Sequence, residues 1–255
     1  MPLHLRLLLP ALILALGTGL GFIQPVGLLL GGVFVIVLLA GRSHLPSWLW
    51  LPLILLGAIA LAAHLLPGFS PWQLWQPRLI SADAAPYGLR LSWDKLLLGS
   101  ALLAWWLGQP RSPVLSLKNA WLTCIATLLL VPLLAMALGL VAWQPKWPQG
   151  LLLWLAVNLC VAVLAEELLF RGLLQTALIK RLGIWPGLLL TAGLFGAAHL
   201  PFSALFAVVA TCAGLGYGLS LQRPPEPGHR AAHSGQSAAY SVAELSVTSC
   251  MTAMR

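Results

Sequence analysis

The stretch Leu159–Leu174, LCVAVLAEELLFRGLL, decides the fold. It reads as the middle of a membrane helix, yet it carries Glu166, Glu167 and Arg171. The surrounding chain is of the same kind. Of its 255 residues 60% are hydrophobic and 8% are charged, and the mean hydropathy is +0.91. A soluble domain carries roughly 25% charged residues, so this composition belongs to a polytopic membrane protein.

Working outward, eight apolar segments are long enough, or nearly so, for the ~20 residues that a bilayer requires. They fall at about 5–23, 26–41, 48–66, 95–109, 119–143, 151–179, 185–200 and 203–222. The second, fourth and seventh are short. The expected fold is therefore all-α: a polytopic integral membrane helical bundle of about eight transmembrane helices. Residues 1–118 hold the N-terminal membrane helices with a long, solvated or interfacial loop at 67–93. Residues 119–222 form a second block of membrane helices, and 223–255 form a polar, Ser-, Ala- and Pro-rich tail that reads as disordered. The opening MPLHLRLLLPALILALG resembles a signal peptide, but the apolar spans that follow favour a retained first helix.

The net charge of +8 does not point to nucleic acid. The basic residues stand singly between apolar runs, with no basic cluster interleaved with aromatics. Arg6, Arg42, Arg111, Lys118, Lys180, Arg181 and Arg223 fall on one set of ends, against Arg78, Arg90, Lys95 and Lys146 on the other. That bias puts the N-terminus in the cytoplasm. Trp residues flank the apolar runs, as interfacial belts do. Cys124, Cys160, Cys212 and Cys250 form no CxxC pair and read as small hydrophobes. The spacings Gly17–Gly21, Gly27–Gly31 and Gly214–Gly218 suit close helix packing.

The chain has six acidic residues, and only Glu166 and Glu167 fall inside an apolar span. A charge at a helix centre costs about 2.5–3.5 kcal/mol on insertion scales, so such residues mark function by default. With 3.6 residues per turn, Glu167 faces Arg171 at i+4, in the favourable order. Glu166 is turned about 100° away and has Phe170 at i+4, so it is the carboxylate left over and the candidate general base. Three readings stay open on this helix alone: catalysis, a transporter's proton site, and a buried ion pair with a structural role.

The next span ends in LFGAAHLP, with the helix stopping before Pro201. Glu166 lies 14 residues before Lys180, and His199 lies 13 residues after Pro186. Each is then about 20 Å from a turn near Leu182–Gly183. An antiparallel pair would set carboxylate and imidazole at one depth, where they can share a water. There is no HExxH zinc motif. GQSA at Gly235–Ala238 lies in the polar tail and is not taken as a serine site.

EELLFRG and FGAAH match the EExxxR and FxxxH motifs. On these residues the chain resembles the CPBP family, also called the Abi or CAAX-protease family of intramembrane endopeptidases, which includes the type II CAAX prenyl proteases. The similarity is clearest over about 150–222, so 119–222 would hold the catalytic core. The resemblance implies that Glu166 activates water and that His199 orients it. It implies structural roles for Glu167 and Arg171, and a place for Phe195 in the site wall. It implies a membrane-embedded or membrane-associated protein substrate and no cofactor; if a metal such as zinc were used, Glu166 and His199 would be its ligands. The localisation expected is a bacterial inner membrane. One departure stands out. The family continues into a helix with an HxxxN-type motif that supplies oxyanion donors, whereas this chain runs on to PPEPGHRAAHSG. His229 and His233 sit in a Pro/Gly-rich polar segment and are taken as decoys. The expectation is a frameshifted or otherwise aberrant C-terminus that impairs activity. The alternative is a non-catalytic membrane protein on the same scaffold, a bacteriocin-immunity factor or transporter.

Overall fold

The computed structural model describes residues 2–79, 86–109, 117–144 and 149–220. The expected tail, with GQSA, His229 and His233, lies outside the described residues, as does the place of an HxxxN-type helix. The described chain is all-α apart from one small hairpin. Its helices are α1 (Leu3–Gly19), α2 (Pro25–Leu39), α3 (Ser47–Ala62), α4 (Trp93–Trp106), α5 (Leu117–Ala137), α6 (Leu151–Leu182), α7 (Ile184–Ala197) and α8 (Ala204–Ser220). The strands β1 (Trp72–Gln73) and β2 (Arg90–Leu91) pair antiparallel inside the long loop, Trp72 opposite Leu91. Each of the eight apolar segments is thus a helix, the three short ones included. Two helices, α5 through its window Ala120–Ala137 and α6, are long and apolar enough to cross a membrane by length and composition. The outward faces of the others are apolar too: Leu29, Ile36, Leu56 and Leu189 are exposed. Apolar surface on this scale is at home in lipid rather than water.

The chain forms two compact units, Met1–Gln109 with Lys146–Leu169, and Pro110–Pro145 with Phe170–Arg255. In the first, α4 is the hub. Its Leu97, Leu98, Ala101 and Leu102 are fully buried, and α1, α2 and α3 all pack against it. The early part of α6 joins them, because Gly99 lets Ala165 come to ordinary van der Waals distance. Gly27 lies against the carbonyl of Gly68, and Gly31 against Leu97, so this glycine pair serves close packing as expected. Gly17 likewise faces Ile23 and Trp93. Gly21, its expected companion, instead turns the chain at φ 81° and meets nothing. Glycine suits that position because it alone enters positive φ without steric cost.

In the second unit α8 packs on both α5 and α7, and the last part of α6 packs on α7. Gly214 meets Ala192 and Gly218 meets Leu188 and Gln175 on one face of α8, while Gly216 meets Thr127 on the opposite face, so glycines open both sides to neighbours. Buried Gln175 donates its amide to the carbonyl of Gly218 at 3.1 Å, which ties α6 to α8.

Candidate active site

Helix α6 is not a uniform α-helix. Leu151–Val157, Leu164–Glu167 and Thr176–Leu182 are α, while Asn158–Val163 and Leu168–Gln175 are π. The two glutamates end the short α segment between the π turns. Thr176 donates its hydroxyl to the carbonyl of Arg171, five residues back, at 3.2 Å, as a π turn permits. The i, i+4 reasoning from the sequence assumed 3.6 residues per turn. Both i, i+4 steps, Glu166 to Phe170 and Glu167 to Arg171, run into the π segment that begins at Leu168, where the register is wider. Single π turns inside α-helices are frequent at functional sites.

Glu166 and Glu167 are both half-buried, in the first unit. Arg171, Phe195 and His199 belong to the second. Arg171 is 1% exposed, and neither it nor Glu167 lacks a partner. Its guanidinium lies 4.9 Å from the centroid of the buried Phe195 ring, a cation–π contact. Phe170 meets the same ring edge-on at 5.0 Å.

His199 follows the end of α7, in the turn before Pro201. Its Nδ1 lies 2.8 Å from the carbonyl oxygen of Phe195. A carbonyl only accepts, so Nδ1 carries the proton and donates. In the neutral ring Nε2 then keeps its lone pair for a water or another donor. Phe195, Phe206 and Phe202 surround the imidazole at 4.7, 5.6 and 6.1 Å. This aromatic setting orients the ring, which stays half-buried. The two phenylalanines after His199 were not singled out from the sequence, although their i+3 and i+7 spacing was the available signal.

Two close approaches hold this end of the unit. Gly183, at φ 89°, makes the turn between α6 and α7 where the sequence places it. Gly187 then sits so close to Ile179 that an added Cβ would stand 2.6 Å from that residue's backbone nitrogen. Gly196, next to Phe195, lies against Thr211 and the carbonyl of Ala207 on α8. Among the described residues no three His, Cys, Asp or Glu side chains gather as a metal group.

Residues 148–224 match the family model described as type II CAAX prenyl endopeptidase Rce1-like. The matched segment takes in α6 to α8 with both motifs, and it is the family that those motifs resemble. Over these residues the chain is similar to that family of CAAX-type endopeptidases. No curated protein and no solved structure matches the chain.

Proposed function

We propose that this chain, of the Rce1-like family by its residues 148–224, is an intramembrane endopeptidase of the CPBP type that works through Glu166 and His199. The observation that carries the reading is the hydrogen bond from His199 Nδ1 to the Phe195 carbonyl. It leaves Nε2 as an acceptor, the state in which a histidine can hold a water. Glu166 sits in an apolar helix at the end of a short α segment between two π turns.

In the proposed reaction a water donates one proton to His199 Nε2 as a hydrogen bond and loses the other to the Glu166 carboxylate. Its oxygen attacks the peptide carbonyl and forms a tetrahedral intermediate. The C–N bond breaks, and Glu166 returns the proton to the leaving amine. Phe195 forms the wall that carries the imidazole and the Arg171 guanidinium. Glu167 and Arg171 act as a structural ion pair. No metal takes part, and the substrate is a membrane-embedded or membrane-associated protein. The setting is a bacterial inner membrane with the N-terminus in the cytoplasm.

The test is Glu166→Gln in the full chain. Cleavage of a membrane substrate should fall about 10²- to 10⁴-fold, the usual worth of a general base, with normal expression. Unchanged function in an immunity or transport assay would favour the non-catalytic scaffold. Lost expression would point to an ion pair with a structural role. Cleavage by the wild type should persist in a chelator, and its loss there would overturn the metal-free mechanism.

A further inference from the structure

A second constellation lies entirely in the first unit, in the loop between α3 and α4. Helix α3 ends in a Schellman motif. Leu65 N–H donates to the Ala60 carbonyl at 2.8 Å, and His64 N–H donates to that of Leu61 at 3.3 Å. The residue at its left-handed position is normally glycine. Here it is His64, with φ 59°. A side chain in that conformation costs roughly 1–2 kcal/mol, and such strain persists only where the surroundings hold it.

What holds it is Asp94, in the first turn of α4, whose side chain is 6% exposed. His64 Nδ1 donates to Asp94 Oδ2 at 2.6 Å, and the other carboxylate oxygen accepts the backbone N–H of Lys95 at 2.8 Å. Both oxygens of Asp94 are thus engaged, and Nε2 is the imidazole nitrogen left over. The pair borders a cavity of ≈ 460 Å³, also lined by Arg90, Tyr87, Ser70 and Ser92. That size is within the range of small-molecule sites.

Four side chains of this cavity, Arg90, Ser70, Ser92 and Tyr87, offer donors. The side chains of Arg90, Ser70 and Ser92 make no hydrogen bond among the described residues. Tyr87 accepts from the indole of Trp154 at 3.2 Å, which leaves its own proton to donate. The cavity therefore suits an oxyanion.

Its height narrows the choice. It lies where one apolar helix ends and the next begins, beside a stack of Phe22 with Trp72 at 5.5 Å and with Trp93 at 5.9 Å. Such aromatic collars sit at the headgroup level of a bilayer. We propose that the His64–Asp94 cavity, with Arg90, binds a phosphate group, carried by a lipid headgroup or free in solution. This site is independent of Glu166 and His199.

The test uses the full chain, delipidated in a maltoside detergent that contains no phosphate. Inorganic phosphate is titrated calorimetrically, and retention of phosphatidylglycerol from mixed micelles is followed by native mass spectrometry. Binding of phosphatidylglycerol alone supports the proposal with a headgroup as source. Binding of inorganic phosphate as well supports it with the free ion as source. Arg90→Gln should weaken the binding at least about tenfold, as the loss of a charge-assisted hydrogen bond predicts, and His64→Gly should weaken it too, by uncovering the Asp94 carboxylate beside the cavity. His64→Gly suits the left-handed backbone but takes the imidazole partner from the buried Asp94, so its thermal midpoint should fall while the chain still folds. Arg90 is exposed, so its variant folds as well. No binding of either probe, or equal binding by wild type and both variants, overturns the proposal.

Discussion

Phe195 is where the second unit concentrates its contacts. Its ring touches Phe170, the Arg171 guanidinium and the His199 imidazole, and its carbonyl fixes the histidine tautomer. Phe195→Ala should remove all three ring contacts and cost about 3–5 kcal/mol, as deletion of a buried phenylalanine does. Phe195→Leu restores most of the volume but neither the cation–π nor the ring–ring contacts, so it should recover only part of that loss. The thermal midpoints of the two variants in detergent check this ordering. Equal midpoints for Leu and Ala would assign the stabilisation to the rings rather than to volume. At this scale the sequence showed the charged residues well, because each ionisable group in an apolar run is conspicuous. It did not show Phe202 and Phe206 beside His199, since an aromatic in an apolar run looks like any other core residue until it is seen facing a ring.

Helices were the most legible level. Length and hydropathy alone mark them, and Pro, Gly and Trp punctuate the connections. The π turns of α6 were not legible. Between Leu168 and Gln175 the residues Leu168, Leu169, Arg171, Gly172, Leu173 and Gln175 are all buried. The polar residues of this segment, Arg171 and Gln175, stand four apart, an ordinary α-helical period that does not betray the wider pitch. Glycine spacing was legible only in part, because Gly21 and Gly17 share a spacing but one serves a turn and the other a contact. This difference gives a paired prediction. Gly187→Ala drives a Cβ to 2.6 Å from the backbone of Ile179, which cannot yield as a side chain could. It should destabilise by about 1–3 kcal/mol, the usual cost of overpacking. Gly99→Ala brings its Cβ to 3.5 Å from Ala165, ordinary contact, and gains helix propensity. It should leave the unfolding midpoint unchanged or raised. The reverse order would mean that the α6–α7 turn is looser than its geometry.

Over the whole chain, the basic residues connect the fold to its orientation. Within the first unit Arg42 donates to the side chain of Gln109 at 3.2 Å, and the Arg6 side chain lies against Gly108. The start of α1, the end of α2 and the end of α4 therefore share one end, and two arginines from the positive side of the sequence bias meet there. His64, β1 and β2 mark the opposite end, with Arg78 stacked on Trp75 at 4.7 Å and donating to the carbonyl of Gln149 at 3.0 Å. Both ends are basic, so counting charges discriminates weakly. What distinguishes them is the aromatic hairpin, which only one end has. If the arginine end is cytoplasmic, a single cysteine placed at Ser43 in a chain with its own cysteines replaced should react with a membrane-impermeant maleimide only after permeabilisation. A cysteine at Ser70 should react from outside in intact cells. The opposite pattern would invert the molecule, and the His64–Asp94 cavity would then face the cytoplasmic leaflet, where anionic headgroups are most abundant. Labelling therefore fixes which leaflet that cavity samples, whatever the outcome for Glu166.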